Sequence, residues 1–283
     1  MTELKPIPGV TEHLNYDEYR FGRARQVFRG PMPDLTKPYV ACIGASETYG
    51  KFSPITYPDL LQEKLGHQVS NWGTPGAGPG FFLKDPVILE ACSCAKVCVI
   101  AAMSAHTMNN RLYSVFVRRN ERFREPSEML TTLYPEVDFA EFRFVHNMLV
   151  RLHEVDAQRF NMILLEFKQS WIARMKELLT DIETKKVLLW FSEIAPEVSG
   201  GLSPKEGRHA LPAFITREMI EAVKGEVDVF VEYVANPEAA RGSAGDRLLG
   251  MQGLNVARRF PSATMHREVA DLLEDPLRYL LGY

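Results

Sequence analysis

Short apolar runs alternate along this chain with segments in which hydrophobic residues recur at helical spacing. The predicted strands occupy residues 39–43, 67–72, 96–103, 186–191 and 227–234, and the second of them, 67–72, is the most polar. A short continuous apolar run that ends at a glycine, as residues 39–43 end at Gly44, is typical of a buried parallel strand. The pattern therefore predicts five strands.

Helical spacing appears between and after these runs, at residues 57–66, 86–93, 212–223 and 264–273. The first of these segments has a proline near its start and Gly66 at its end, which are common helix boundaries. Strands that alternate with helices predict βαβ units and a mainly parallel sheet with helices on both faces. Ligands of such sheets bind beyond the carboxyl ends of the strands.

Two parts of the chain depart from this alternation. Residues 1–38 are irregular and rich in arginine, and we expect them to wrap an α/β domain formed by residues 39–283. A helical insertion is expected over about residues 120–182, where one stripe consists of Phe142, Val145, Met148, Leu149, Leu152 and Val155. We expect this stripe to be core, and a partner-binding or dimerising arm is the alternative, so a homo-oligomer stays open.

Composition narrows the functional classes. The chain has 283 residues, of which 46% are hydrophobic, enough to bury the core of a large α/β domain. Its formal net charge of -3 provides no basic field for nucleic acid. The N-terminus is polar and broken by prolines, and no apolar run approaches the roughly 20 residues needed to span a bilayer. We therefore expect a soluble, cytoplasmic protein that binds neither nucleic acid nor membranes.

The four cysteines, at positions 42, 92, 94 and 98, lack the paired Cys-x-x-Cys spacing of structural zinc sites. Cys42 and Cys98 fall inside apolar strand runs. We expect reduced, buried, structural thiols, and neither a metal nor an organic cofactor.

The loops after the first three predicted strands carry residues that could take part in catalysis. Ser46 follows the first strand, a glycine-rich segment at residues 73–80 follows the second, and residues 104–110 follow the third. A serine hydroxyl can attack a carbonyl, while glycine N–H groups and an asparagine amide can stabilise the resulting oxyanion. Together these groups look like half of an acyl-transfer site.

Their order resembles that of the SGNH/GDSL hydrolases, and residues 44–50 and 110–113 also look similar to a divergent bacterial branch of that superfamily. These enzymes place serine after strand one, glycine after strand two, asparagine after strand three and histidine near the last helix. The resemblance implies a flavodoxin-like three-layer α/β/α sandwich with Ser46 as nucleophile and His266 as general base. It also implies Gly76, five residues after Asn71, and Asn110 as oxyanion donors.

The chain departs from the family pattern at several positions. Ala45 replaces the aspartate of Gly-Asp-Ser, and Ala263 replaces the acid three residues before His266. That acid holds the imidazole tautomer in a serine triad. Asp246 or Glu193 could substitute for it. In the third block, Asn110, Asn109 and His106 are alternative donors.

Each candidate also has an ordinary structural interpretation. Ser46 could be a turn or cap residue, the glycines could only shape a turn, and His266 could cap its helix. His209 is a rival base. Residues 73–80 do not form a dinucleotide-binding fingerprint, because Phe81 stands where its third glycine would be. Residues 44–48 do not form the nucleophile elbow of α/β-hydrolases, because they lack its second glycine.

Residues 111–124 are dense in arginine with aromatic residues between them. Such a segment is typically a solvated face. Because it follows the third-strand loop, Arg118 or Arg119 could instead bind an anionic group of a substrate.

The sequence therefore predicts a serine-dependent ester hydrolase that acts on an O-acyl group of a carbohydrate or another small polar molecule. If Arg118 or Arg119 binds the substrate, that molecule also carries an anionic group. One alternative is a catalytically degenerate ligand-binding protein. Others are an O-acyltransferase, which would need a donor such as acyl-CoA, and a scaffold protein.

Overall fold

In a computed structural model the chain is described over residues 14–201, 203–207, 211–243, 245–248 and 253–283. The strands are β1 (Tyr19–Arg20), β2 (Val27–Phe28), β3 (Tyr39–Ile43), β4 (Gln68–Asn71), β5 (Val97–Ala101), β6 (Tyr113–Phe116), β7 (Arg119–Pro126), β8 (Lys185–Ser192) and β9 (Val229–Val234). The helices are α1 (Ser46–Tyr49), α2 (Tyr57–Leu65), α3 (Pro79–Phe82), α4 (Pro86–Cys94), α5 (Glu128–Leu133), α6 (Val145–Val155), α7 (Phe160–Asp181), α8 (Pro196–Ser199), α9 (Pro204–Gly207), α10 (Arg217–Lys224), α11 (Pro237–Arg241), α12 (Gly253–Ala257) and α13 (Ala263–Leu281).

The central sheet has five parallel strands in the order β4-β3-β5-β8-β9. Strand β3 shows how the layers form, because all five of its residues are buried. Tyr39, Ala41 and Ile43 face one apolar core with α4, α7 and α10, while Val40 and Cys42 face a second core with α2 and α13. The chain is thus a three-layer α/β/α sandwich, as the sequence predicts.

The prediction of a helical insertion over about residues 120–182 is wrong for its first residues, which belong to β7. Strands β6 and β7 form an antiparallel hairpin, and the helices of this segment begin only at α5. Along β7, Asn120 and Phe123 are buried while the arginines around them point outward, so the arginine-rich stretch is a hairpin face. The apolar stripe of α6 is core, because Val145, Met148, Leu149 and Leu152 are all fully buried.

Two helices differ from their predicted limits for identifiable reasons. Helix α10 begins only at Arg217, because the Thr216 side chain accepts the Met219 N–H as an N-cap. Helix α13 continues to Leu281, because Leu277 and Leu280 extend its buried stripe beyond residue 273.

Part of the N-terminal segment, residues 14–38, packs against the loop after α1. The buried Arg29 guanidinium donates to the carbonyls of Gly50 (2.8 Å) and Ser53 (3.0 Å) and lies over the Tyr16 ring. The segment therefore supports the turn that follows the first strand of the central sheet.

All four cysteines are free thiols, and Cys42, Cys92 and Cys98 are buried as expected, but Cys94 is exposed. Burial raises the pKa of the Cys42 thiol well above its ordinary value. Within the described ranges, no helix combines the length and hydropathy required to cross a membrane.

Candidate functional site

A cavity of about 460 Å³ opens at the carboxyl ends of β3, β4 and β5. This is the place where a parallel sheet binds its ligands. Its polar and charged lining comprises Glu18, Gln26, Ser46, Glu47, Lys51, Thr74, Ser104, His106, Thr107, Arg118, Arg119 and Glu121. Most of the predicted site residues are in this set, so the fold brings them to one place.

Ser46 is positioned by a tight turn between β3 and α1. It is the first residue of α1, lies 7% exposed and lines the cavity. Its carbonyl accepts the N–H of Gly50, which has a positive φ of 70° and ends the helix after one turn. The turn closes tightly, since a Cβ at Gly44 would lie 2.2 Å from Thr48 Oγ1.

Asn71 fastens this turn to the loop after β4. Its side-chain amide donates to the Thr48 carbonyl (2.9 Å), and its Oδ1 accepts the Gly73 N–H (3.0 Å). The Thr74 N–H also donates to the Gly44 carbonyl (2.9 Å). Asn71 is therefore a positioning residue, and it is not among those that line the cavity.

Replacing Asn71 with Ala is expected to destabilise the protein by about 2 kcal/mol, because a buried N–H and a buried carbonyl lose their partner. Urea denaturation of wild type, Asn71→Ala and the exposed control Asn15→Ala would measure this difference. An equally small change in both variants would contradict the positioning role.

Gly76 lines the cavity in the left-handed backbone region, with a φ of 73°. A Cβ there would lie 2.9 Å from Glu121 Oε2, so the position favours glycine for two reasons. Among the described residues, no hydrogen bond uses the Gly76 N–H. That N–H group can therefore serve a ligand.

The loop after β5 contributes His106 but not Asn110. The Asn110 Oδ1 accepts the N–H groups of Leu112 (2.9 Å) and Tyr113 (3.1 Å), and its amide donates to the Met108 carbonyl. Asn110 thus shapes the turn into β6 and does not line the cavity, which corrects its prediction as an oxyanion donor.

His106 is a neutral imidazole in the cavity wall. Burial lowers its pKa to about 3, and its ring packs edge-on against Phe214. Its Nδ1 has no hydrogen-bond partner within the described part of the chain.

The structure places His266 away from the cavity. The ring is fully buried between Tyr57 and Phe191, and its Nδ1 accepts the Tyr57 N–H (3.2 Å). Burial lowers its pKa to about 3. His266 lies with Val269 on the buried face of α13, and among the described residues its Nε2 has no hydrogen-bond partner. The structure therefore gives no contact between Ser46 and its predicted general base.

The alternative acids are also not partners of His266. Asp246 accepts hydrogen bonds from Thr264 Oγ1 (2.7 Å) and the Ser243 N–H (2.8 Å). Neither Asp246 nor Glu193 lines the cavity. His209, the rival base, lies outside the described residues.

Sequence reasoning missed Glu47, which follows Ser46 in α1 and also lines the cavity. It is 3% exposed, and within the described ranges its Oε2 has no hydrogen-bond partner. Burial raises the pKa of this carboxyl to about 7. The sequence feature that could have identified it is an acidic residue directly after Ser46, close to a strand that the pattern predicts to be buried.

Cationic groups occupy the outer part of the same cavity. Arg118 and Arg119 line it as the sequence suggested, and Arg119 Nε donates to Glu121 (2.6 Å). Lys51 lies over the rings of Phe52 and Phe260, and burial lowers its pKa. In the part of the chain that the structure describes, no cluster of His, Cys, Asp or Glu could hold a metal ion.

The fold is similar to those of solved structures whose sequences are only 12–13% identical to this chain. A carbohydrate esterase family 2 enzyme with a carbohydrate-binding domain, from Corynascus thermopiles (Myceliophthora fergusii), is 13% identical with a TM-score of 0.44, over 90% of this chain and 69% of that one. The acetylxylan esterase Axe2 of Geobacillus stearothermophilus is 12% identical with a TM-score of 0.40, over 87% of this chain and 94% of that one. No curated protein sequence matches the chain.

A family model matches nearly the whole sequence. The model described as domain of unknown function DUF6473 matches residues 7–281, and the chain belongs to this family.

Proposed function

We propose that this protein is a serine-dependent ester hydrolase in which Ser46 is the nucleophile. The observation that carries this proposal is the place of Ser46, on a tight turn at the carboxyl end of β3, in the wall of the cavity. The same cavity presents the Gly76 N–H, which is free to stabilise an oxyanion.

Hydrolysis would proceed through an acyl-serine. Ser46 Oγ attacks the ester carbonyl carbon, and the carbonyl oxygen takes up negative charge near the Gly76 N–H. The alcohol then leaves, and water releases the acid from Ser46. His266, the predicted general base, is buried in the core and is not among the residues that line the cavity.

The lining of the cavity favours a small polar substrate. Its volume of about 460 Å³ lies within the range of small-molecule pockets. Arg118, Arg119 and Lys51 supply cations at its rim, and carboxyl and hydroxyl groups supply hydrogen-bond partners. We propose an acyl ester of a carbohydrate or similar polyol, with an anionic group held by Arg118 or Arg119.

A second candidate is a ligand-binding protein without hydrolytic activity. The burial of His266 favours it, because Ser46 has no histidine of the expected kind beside it. Both candidates use the same cavity, so they differ only in whether Ser46 is an activated nucleophile.

Labelling with a fluorophosphonate probe separates the two candidates. We expect the probe to modify Ser46, located by mass spectrometry, and we expect Ser46→Ala to abolish both labelling and hydrolysis of acyl esters. Ser114→Ala, which removes a hydroxyl from β6 outside the cavity, is the matched control and should label normally.

Absence of labelling, under conditions where a known serine hydrolase reacts, would contradict the hydrolase. The ligand-binding candidate would then be tested by a thermal-shift screen of sugars and small anions.

A further inference from the structure

We propose that Arg29 is a positioning residue for Ser46, and that its buried guanidinium holds the turn that carries the nucleophile in its reactive geometry. This inference rests on the proposed ester hydrolase. It makes the N-terminal segment part of the site, a role that the resemblance to SGNH hydrolases does not assign to it.

The Arg29 guanidinium binds the carbonyl end of α1 and the loop that follows it. Its Nη1 donates to the carbonyls of Gly50 (2.8 Å) and Ser53 (3.0 Å), and lies 3.5 Å from the carbonyl of Tyr49. Its Nη2 donates to the carbonyl of Pro54 (3.3 Å). A planar guanidinium presents its donors in a rigid fork, whereas the ammonium of lysine is a single compact charge. One side chain therefore fixes the backbone from residue 49 to residue 54.

These contacts reach Ser46 through the hydrogen bonds that close α1. The Ser46 carbonyl accepts the N–H groups of Gly50 (3.0 Å) and Lys51 (3.3 Å). The Gly50 carbonyl in turn accepts from Arg29. A shift of this part of the loop is therefore transmitted to the residue that begins the helix.

Gly50 shows how closely the guanidinium approaches the backbone. A Cβ at Gly50 would lie 3.2 Å from Arg29 Nη1 and 2.2 Å from Thr56 Cγ2. Its φ of 70° also lies in the region that favours glycine. The turn thus has the conformation and the open space that Arg29 needs to reach it.

The Arg29 side chain is a buried cation that is solvated by backbone. It is 7% exposed and lies over the Tyr16 ring, 5.0 Å from the ring centroid. In the described part of the chain, its hydrogen bonds all go to backbone carbonyls. A buried charge is costly unless its donors are satisfied, so movement of any of these carbonyls is opposed by the loss of solvation of the guanidinium.

Two further contacts of the N-terminal segment act on the same turn. The Tyr16 hydroxyl accepts the Phe52 N–H (3.0 Å), and the Tyr49 hydroxyl donates to Glu18 (2.6 Å). Glu18 and Tyr49 both line the cavity with Ser46. The segment that carries Arg29 therefore also contributes to the wall of the cavity.

The test compares the reaction of wild type and Arg29→Ala with the fluorophosphonate probe and with p-nitrophenyl acetate. A nucleophile displaced by about 1 Å reacts about 100-fold more slowly, so kcat and the labelling rate should fall by about that factor while KM stays near its wild-type value. Guanidinium ion, at concentrations that leave wild type folded, should restore part of the rate, and methylammonium should not.

Two further variants complete the comparison. Arg29→Lys keeps the charge without the fork, so its rate should lie between those of Arg29→Ala and wild type. Arg20→Ala removes an exposed arginine of the same segment, whose Nη1 lies 3.5 Å from the Ala24 carbonyl, and should match wild type.

The outcomes distinguish the inference from the function on which it rests. If wild type neither labels nor hydrolyses esters, both are overturned. If wild type is active and Arg29→Ala, shown to be folded by circular dichroism, keeps the wild-type rate, only the role of Arg29 is wrong.

Three other results would overturn the role of Arg29 alone. They are a loss that appears only in KM, a loss of kcat that guanidinium ion does not reverse, and a failure of both Arg29 variants to fold. A folded Arg29→Ala protein that loses kcat and regains part of it with guanidinium ion supports the assignment.

Discussion

Glu47→Gln is expected to stabilise the folded protein by about 3 kcal/mol at about pH 8, and to leave its stability nearly unchanged at about pH 4. The carboxyl has a pKa of 4.5 in the unfolded chain and of about 7 in the folded one, because burial disfavours the charged form. As pH rises from 4.5 to 7, the unfolded state loses its proton first. Stability therefore falls across this window, and glutamine, which does not titrate, removes that fall.

Urea denaturation of wild type and Glu47→Gln at several pH values measures this effect. Glu268→Gln is the control for the charge change, since that carboxyl keeps a hydroxyl partner. A stability difference that stays constant between about pH 4 and pH 8 would contradict a raised pKa at Glu47.

The expected gain in stability follows from burial alone, because Glu47 is 3% exposed and its Oε2 has no hydrogen-bond partner among the described residues. Functional sites characteristically retain groups that a more stable protein would lack. A gain in stability that appears only above about pH 5 would therefore show that the fold keeps this carboxyl at a cost.

The centre of the sheet could be predicted from the sequence because β3 and β5 are short runs of apolar residues. Residues 39–43 are β3 to the residue, since both faces of a central parallel strand are buried and no alternation is needed. The β6–β7 hairpin was missed for the opposite reason. Its arginines suggested a solvated helix or loop, and only two side chains of β7, Asn120 and Phe123, are buried.

The candidate site could be predicted only as far as strand order dictates it. Ser46, Gly76 and His106 follow neighbouring parallel strands, so their loops meet at one edge of the sheet. The positions of His266 and Asn110 depend instead on the rotation of a helix and on local turn hydrogen bonds. Periodicity marks α13 as amphipathic, but it does not show that a histidine belongs to the buried stripe.

Gly73→Ala is expected to disrupt the turn that carries Ser46, with a loss of about 3 kcal/mol in stability. A Cβ at this position would lie 2.2 Å from the Tyr49 backbone nitrogen. Backbone cannot turn aside as a flexible side chain can, so α1 or the loop after β4 must move. Because Ser46 begins α1, its reaction with the fluorophosphonate probe should also slow, by about 100-fold for a displacement near 1 Å.

Gly225→Ala is the matched control for this prediction. Gly225 is exposed at the end of α10, has a φ of -69°, and would place a Cβ with nothing within 4 Å. The same change there should be neutral or stabilise the protein by about 0.5 kcal/mol, since alanine restricts the unfolded chain. Thermal denaturation and probe labelling of both variants separate the close approach at Gly73 from the general effect of replacing glycine. If Gly73→Ala labels and unfolds like Gly225→Ala, the turn that carries Ser46 has more freedom than its contacts with Gly73 imply.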